Sequence, residues 1–186
     1  MTTDAAGRST AERLAVSLEN ASSLDPLRSF YRGVADSLPK GRVLEELRGR
    51  TLGHALHPLM TDLPLGTWMS ASLLDLFGGR RSQDAARRLV GAGVVFAVPT
   101  AISGFADYGR LHSTGAARVG SVHAMLNGWG LIAYTASWLL RRKGRHRAGV
   151  MVALAAGGGL VVSGYLGGHL SLRKGEPEAA SPLAAL

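Results

Sequence analysis

Six histidines, thirteen acidic residues and no cysteine set the chemistry open to this chain. Without a thiolate there is no disulfide, no thiolate-held iron–sulfur cluster and no thioether-attached haem, so a cofactor would have to hang on His, Asp, Tyr or Asn. Five of the histidines stand with other polar residues at the ends of long apolar stretches. His54 and His57 precede Asp62; Asp107, Tyr108 and His112 close a second stretch; His123 and Asn127 open a third; Tyr165 and His169 close a fourth. His54 and His57 are spaced i, i+3, while His123 with Asn127 and Tyr165 with His169 are spaced i, i+4, so each pair can share a helix face. Three readings compete. The first is a polar cluster that only ties helix ends together. The second is a b-type haem held between two histidines, drawn from His57, His123 and His169, with His54 as a further candidate. The third is a metal or proton site using His57, His123 and His169 with Asp62 or Asp107. A quinone or lipid pocket completes the alternatives.

Other residues invite plainer roles. His146, inside RRKGRHR, reads as one more solvated base, and Asp75 as an ion-pair partner of Arg80 and Arg81. The chain has no nucleophile with an adjacent base, no phosphate-binding glycine loop, and no acid in the middle of its later apolar stretches; enzyme chemistry has little support.

The elements that must position these residues are helices crossing a bilayer. Leu89 to Ala106, Val119 to Leu140 and Ala148 to Leu172 carry no charged residue. At about 1.5 Å per helical residue each can cross the roughly 30 Å of hydrocarbon. Pro58 to Gly78 has the same character apart from Asp62 and Asp75. The mean hydropathy of only +0.12 conceals these spans because it includes a polar first fifty residues. The net charge of +8 sits at span ends and in that first segment, which favours membrane anchoring over nucleic acid. Pro64 and Pro99 should kink spans 1 and 2. Trp138 suits an interfacial belt, whereas Trp129 lies deep enough to be packed between helices. Dense glycine on spans 2 and 4 allows close helix approach.

Ahead of the spans, Ser9 and Glu12 have capping-box spacing, and Asp25 caps a helix whose Leu27, Phe30, Tyr31, Val34 and Leu38 form one apolar stripe. That helix lies either in the headgroup plane or against loops of the same protein. The opening MTTDAAGRST has no signal-peptide character, so insertion is expected to use the spans themselves.

Four crossings joined by short links form antiparallel neighbours and bring the starts of spans 1 and 3 and the ends of spans 2 and 4 to one face. Arginine and lysine concentrate in the first and third links, which places those in the cytoplasm and both termini outside. The halves also resemble each other. His57-Pro-Leu-Met-Thr-Asp62 matches His123-Ala-Met-Leu-Asn127, and Ser103-Gly104-Phe105 matches Ser163-Gly164-Tyr165. Two tandem hairpins related by an axis along the membrane normal would set His57 and His123 at equivalent, facing positions.

The run Gly53-His54-Ala55-Leu56-His57-Pro58-Leu59-Met60-Thr61-Asp62-Leu63-Pro64-Leu65-Gly66-Thr67-Trp68, followed by Leu73-Leu74-Asp75-Leu76, resembles the signature of the bacterial membrane domain of unknown function DUF2231. Ala55 stands where that pattern has its first proline. Gly104 with Asp107, His123 with Asn127, and Gly164-Tyr165-Leu166-Gly167-Gly168-His169-Leu170-Ser171 extend the resemblance across Gly53 to Ser171. Members of that family are often followed by a Rieske iron–sulfur domain. The resemblance therefore implies a stand-alone form of the domain, electron transfer by association, and a Rieske-type redox protein as partner.

The sequence thus predicts an all-α integral membrane four-helix bundle with amphipathic surface helices. Its expected parts are an interfacial helical segment over 1–52, the four-span domain over 53–172 and a disordered tail over 173–186, in a multi-pass protein of the bacterial inner membrane. The expected function is an accessory electron-transfer module binding haem or metal through the histidines, or a structural or partner-binding membrane protein without cofactor.

Overall fold

The computed structural model describes residues 9–177, and the part of the expected tail beyond 177 lies outside them. Among these residues all regular structure is helical: α1 (Thr10–Asn20), α2 (Asp25–Asp36), α3 (Arg42–Leu47), α4 (Leu56–Phe77), α5 (Gln83–Tyr108), α6 (Thr114–Arg142) and α7 (His146–Gly168). A π-helical turn, His169–Arg173, continues α7.

The four long helices cover the four expected apolar stretches, and α5 and α6 run past theirs at both ends. α5 starts six residues before Leu89, because Gln83 and the Ala85-Ala86-Arg87-Arg88 run are good helix formers and Asp84, an acid in the first turn, binds both Arg87 and Arg88. The link from α4 to α5 shrinks accordingly to Gly78–Ser82. Both it and the link from α6 to α7 turn on a glycine with positive φ, Gly79 at 65° and Gly144 at 74°. Such short links make α4 with α5, and α6 with α7, antiparallel hairpins. Ser113 caps α6 by accepting from the Ala116 N–H at 3.1 Å, and Ser9 caps α1 by accepting from the Glu12 N–H. Asp25 is not a cap: it lies inside α2, and its carboxylate is taken by Arg118 of α6, which donates from Nε and Nη2 at 2.9 Å each.

Pro64 lies inside α4 and cannot donate to the Met60 carbonyl. Thr100 of α5 replaces the missing donor, its hydroxyl reaching Met60 O at 3.2 Å. The broken rung thereby becomes a contact between the helices of one hairpin.

Two clusters of buried apolar residues divide the bundle lengthwise. One, around Trp68, Ala71, Val90, Ala97, Tyr134, Ala153 and Leu160, fills the end near the short links. The other joins Tyr108, Leu111, Val119, Leu166 and Leu170 to Ala15 of α1 and Ala35 of α2. The first helices therefore pack on the bundle end. The predicted stripe contributes only partly to that packing: Phe30 is exposed, and the buried residue of α2 is Ala35. Arg32 fixes the arrangement by donating to the carbonyls of Gly109 at 2.8 Å and Leu111 at 3.1 Å.

By length and composition, residues 80–108 and 146–173 are apolar enough to cross a membrane. α4 and α6 fall short of that measure because His, Pro, Asp, Gly, Ser, Trp and Tyr lower their hydropathy.

Candidate functional site

His57 begins α4 and His123 lies in the third turn of α6, and both rings turn inward across their own hairpin. His57 Nδ1 is 2.9 Å from the Thr100 carbonyl of α5; His123 Nδ1 is 2.8 Å from the Ser163 carbonyl of α7. A carbonyl only accepts, so each ring carries its proton on Nδ1 and presents an unprotonated Nε2. Room for each ring comes from a glycine. A Cβ on Gly104 would stand 2.9 Å from His57 Cε1, and one on Gly167 would stand 3.0 Å from His123 Cε1. The two rings then meet between the hairpins with centroids 6.3 Å apart and planes at 89°. They differ at Nε2. Asn127 Nδ2 donates to His123 Nε2 at 3.0 Å, whereas His57 Nε2 has no such partner among the described residues.

This pair is the first of three along the α4–α6 seam. Trp68 stacks on Tyr134 at 3.9 Å with parallel planes, and Asp75 receives both Nη atoms of Arg141 at 2.8 and 2.6 Å, each side chain nearly or fully buried. In all three pairs the partners are 66 residues apart, the same step that relates the two hairpins. In α5 and α7 the step is three residues shorter. Thr100 corresponds to Ser163 and Gly104 to Gly167, so the match of Ser103-Gly104-Phe105 with Ser163-Gly164-Tyr165 is out by nearly one helical turn. It is corrected by what each histidine touches. The buried positions of α5 at Ala86, Val90, Ala97, Thr100 and Ser103 then fall on Gly149, Ala153, Leu160, Ser163 and Leu166 of α7, all buried.

The remaining candidates stand apart from the ring pair. His169 is buried, but its Nε2 faces Glu19 of α1 at 2.7 Å, with Lys174 Nζ on the other carboxylate oxygen at 2.9 Å. Asp107 is buried with Oδ1 lacking a hydrogen-bond partner among the described residues, while Asp62 and His54 are exposed on α4 and just before it. Among the described residues no three His, Asp or Glu side chains gather as a metal-binding group, so His57, His123, His169, Asp62 and Asp107 do not form one ligand set. Their separation has a simple cause: helix ends on one face can still point to opposite sides of a bundle. Asp75 pairs with Arg141, and with His146 Nε2 at 3.2 Å, rather than with Arg80 and Arg81. Trp129 faces outward, 64% exposed, instead of packing between helices.

Paired helical hairpins with two apolar membrane-length helices and polar side chains turned inward define an all-α protein of membrane type. The family described as predicted membrane protein (DUF2231) matches residues 53–176, and the chain belongs to it. No curated protein and no solved structure matches the chain.

Proposed function

We propose that this is a four-span membrane protein serving as an accessory electron-transfer module, with a b-type haem held between His57 and His123. The carrying observation is the ring pair itself: two imidazoles from equivalent positions of two hairpins, centroids 6.3 Å apart, each with Nδ1 on a backbone carbonyl. That hydrogen bond is the usual outer support of a ligating histidine. Two imidazoles on opposite sides of one metal, each nitrogen about 2 Å from it, would place their centroids roughly 6 Å apart. A Rieske-type iron–sulfur protein is the partner such a role would take, by family association alone.

Crossing by all four helices is favoured by their outer surfaces. α4 exposes Leu59, Leu63, Met69, Leu73, Leu76 and Phe77, and α6 exposes Trp129, Ile132 and Leu139. Apart from the exposed Asp62 near the start of α4, this apolar surface suits lipid and not water. Since α4 and α6 are tied to α5 and α7 by short links, they must cross where those cross. The basic first and third links then lie in the cytoplasm of a bacterial inner membrane, and the histidine face lies outside.

An optical spectrum and metal analysis of protein purified from its native membrane test the cofactor. A Soret band is expected, lost separately in His57→Ala and His123→Ala with the fold retained; native protein with neither band nor metal overturns it. The Asn127 amide on His123 Nε2 favours a second reading, in which the histidines serve only to join α4 to α5 and α6 to α7. Both substitutions would then cost stability in a protein that never shows a band.

A further inference from the structure

At the end of the bundle opposite the ring pair, a cavity of about 940 Å³ opens between the α4–α5 link and the start of α7. Arg80, Gln83, Arg145, His146 and Arg147 line its polar side, and Val150 and Met151 its apolar side. Arg80, Arg145 and Arg147 have no ion-pair partner among the described residues. Asp75 is the only acid on its wall, and both its oxygens are already taken by Arg141. The cavity also receives the first turn of α7, a helix of 23 residues whose opening turn has neither a side-chain cap nor an acid. Its first amides are therefore left to bind an acceptor, at the positive end of the helix dipole. Beyond the arginines the wall becomes apolar, and Met151 is followed one turn along α7 by exposed Leu154.

We propose that this cavity binds the phosphate of an anionic phospholipid, with Arg80, Arg145, Arg147 and the α7 amides around the headgroup and an acyl chain along Val150, Met151 and Leu154. Guanidinium groups suit phosphate oxygens, and the change from charged to apolar along one wall matches a lipid better than a free ion. The site rests on the bilayer reading of the bundle.

Native mass spectrometry of the full chain in detergent, titrated with phosphatidylglycerol, phosphatidylcholine or inorganic phosphate, tests it. Phosphatidylglycerol is expected to bind at least about tenfold more tightly than phosphatidylcholine. Arg145→Gln with Arg147→Gln should weaken it roughly 30-fold, about fivefold per charge. Arg81→Gln with Lys143→Gln removes the same charge from the same links outside the cavity and should leave binding within about twofold. Arg80→Gln, an exposed single change with an expected loss of about fivefold, serves if the first pair fails to fold. Equal losses in both double variants, equal binding of the two lipids, or filling by inorganic phosphate without phosphatidylglycerol each overturn the site alone. A chain that stays monodisperse without detergent overturns the bilayer reading and the site with it.

Discussion

The histidine rings occupy slots that only glycine leaves open. Gly104→Ala and Gly167→Ala would each push a Cβ to within about 3 Å of an imidazole and strain its hydrogen bond to the neighbouring helix. Each should cost about 1–3 kcal/mol of stability, as overpacking does, and thermal unfolding in detergent measures it. Gly164→Ala is the control: a Cβ there meets nothing within 4 Å, so replacing this helical glycine should leave the melting point unchanged or raise it. Of these residues the histidines were legible in the sequence, since an imidazole at a span end is conspicuous. Their partners were not. Thr100 and Ser163 each offer a backbone carbonyl, which any residue carries, so no residue type marks the acceptor.

Two elements hold the molecule at its ends. Near the short links, Asp75 and Arg141 form a buried pair, and Asp75→Ala should cost about 3–5 kcal/mol by stranding a buried guanidinium. Asp75→Leu with Arg141→Met should recover most of that loss, read by the same unfolding transition. At the other end, α1 is clasped to α7 through Glu19. Burial raises the Glu19 carboxyl, but hydrogen bonds from His169 and Lys174 and their charges outweigh it and leave it below its ordinary 4.5. A depressed carboxylate stabilises the fold above its unfolded value and loses that contribution as pH falls through the folded one. Protection of the α1 amides from hydrogen exchange, taken relative to their intrinsic exchange rate at each pH, should therefore fall progressively below pH 4.5, and Glu19→Gln should show reduced protection already at neutral pH. Three of the four long helices were readable from charge-free length, and α4 from an apolar run broken only by Asp62 and Asp75. The docking of α1 and α2 was only partly readable from the stripe on α2: Tyr31 of the stripe stacks on Phe105, but the buried Ala35 and the tie made by Arg32 lie outside it. The 66-residue step carried information that local motifs missed, since it pairs Trp68 with Tyr134 and Asp75 with Arg141 although neither pair is alike in type.

For the whole molecule, the outward apolar faces predict that the protein leaves membranes only with detergent and precipitates when detergent is withdrawn. An alkaline carbonate wash followed by detergent extraction checks this: release by carbonate alone would count against four crossings. Orientation is checked by reporters fused at Leu186. A periplasm-dependent reporter should be active there and a cytoplasm-dependent one silent, and the opposite pattern would turn the histidine rim inward.

The Asp75–Arg141 pair also decides which assemblies are permitted. At matching sites of two related hairpins, one copy carries an anion and the other a cation. Two first hairpins put together would face carboxylate with carboxylate, and two second hairpins would face guanidinium with guanidinium, in each case inside a low-dielectric interior. If the polypeptide is severed between Gly109 and Ser113 and its pieces are co-expressed, they should recombine only as unlike partners. At this site each hairpin complements the other, and neither can serve as its own mate.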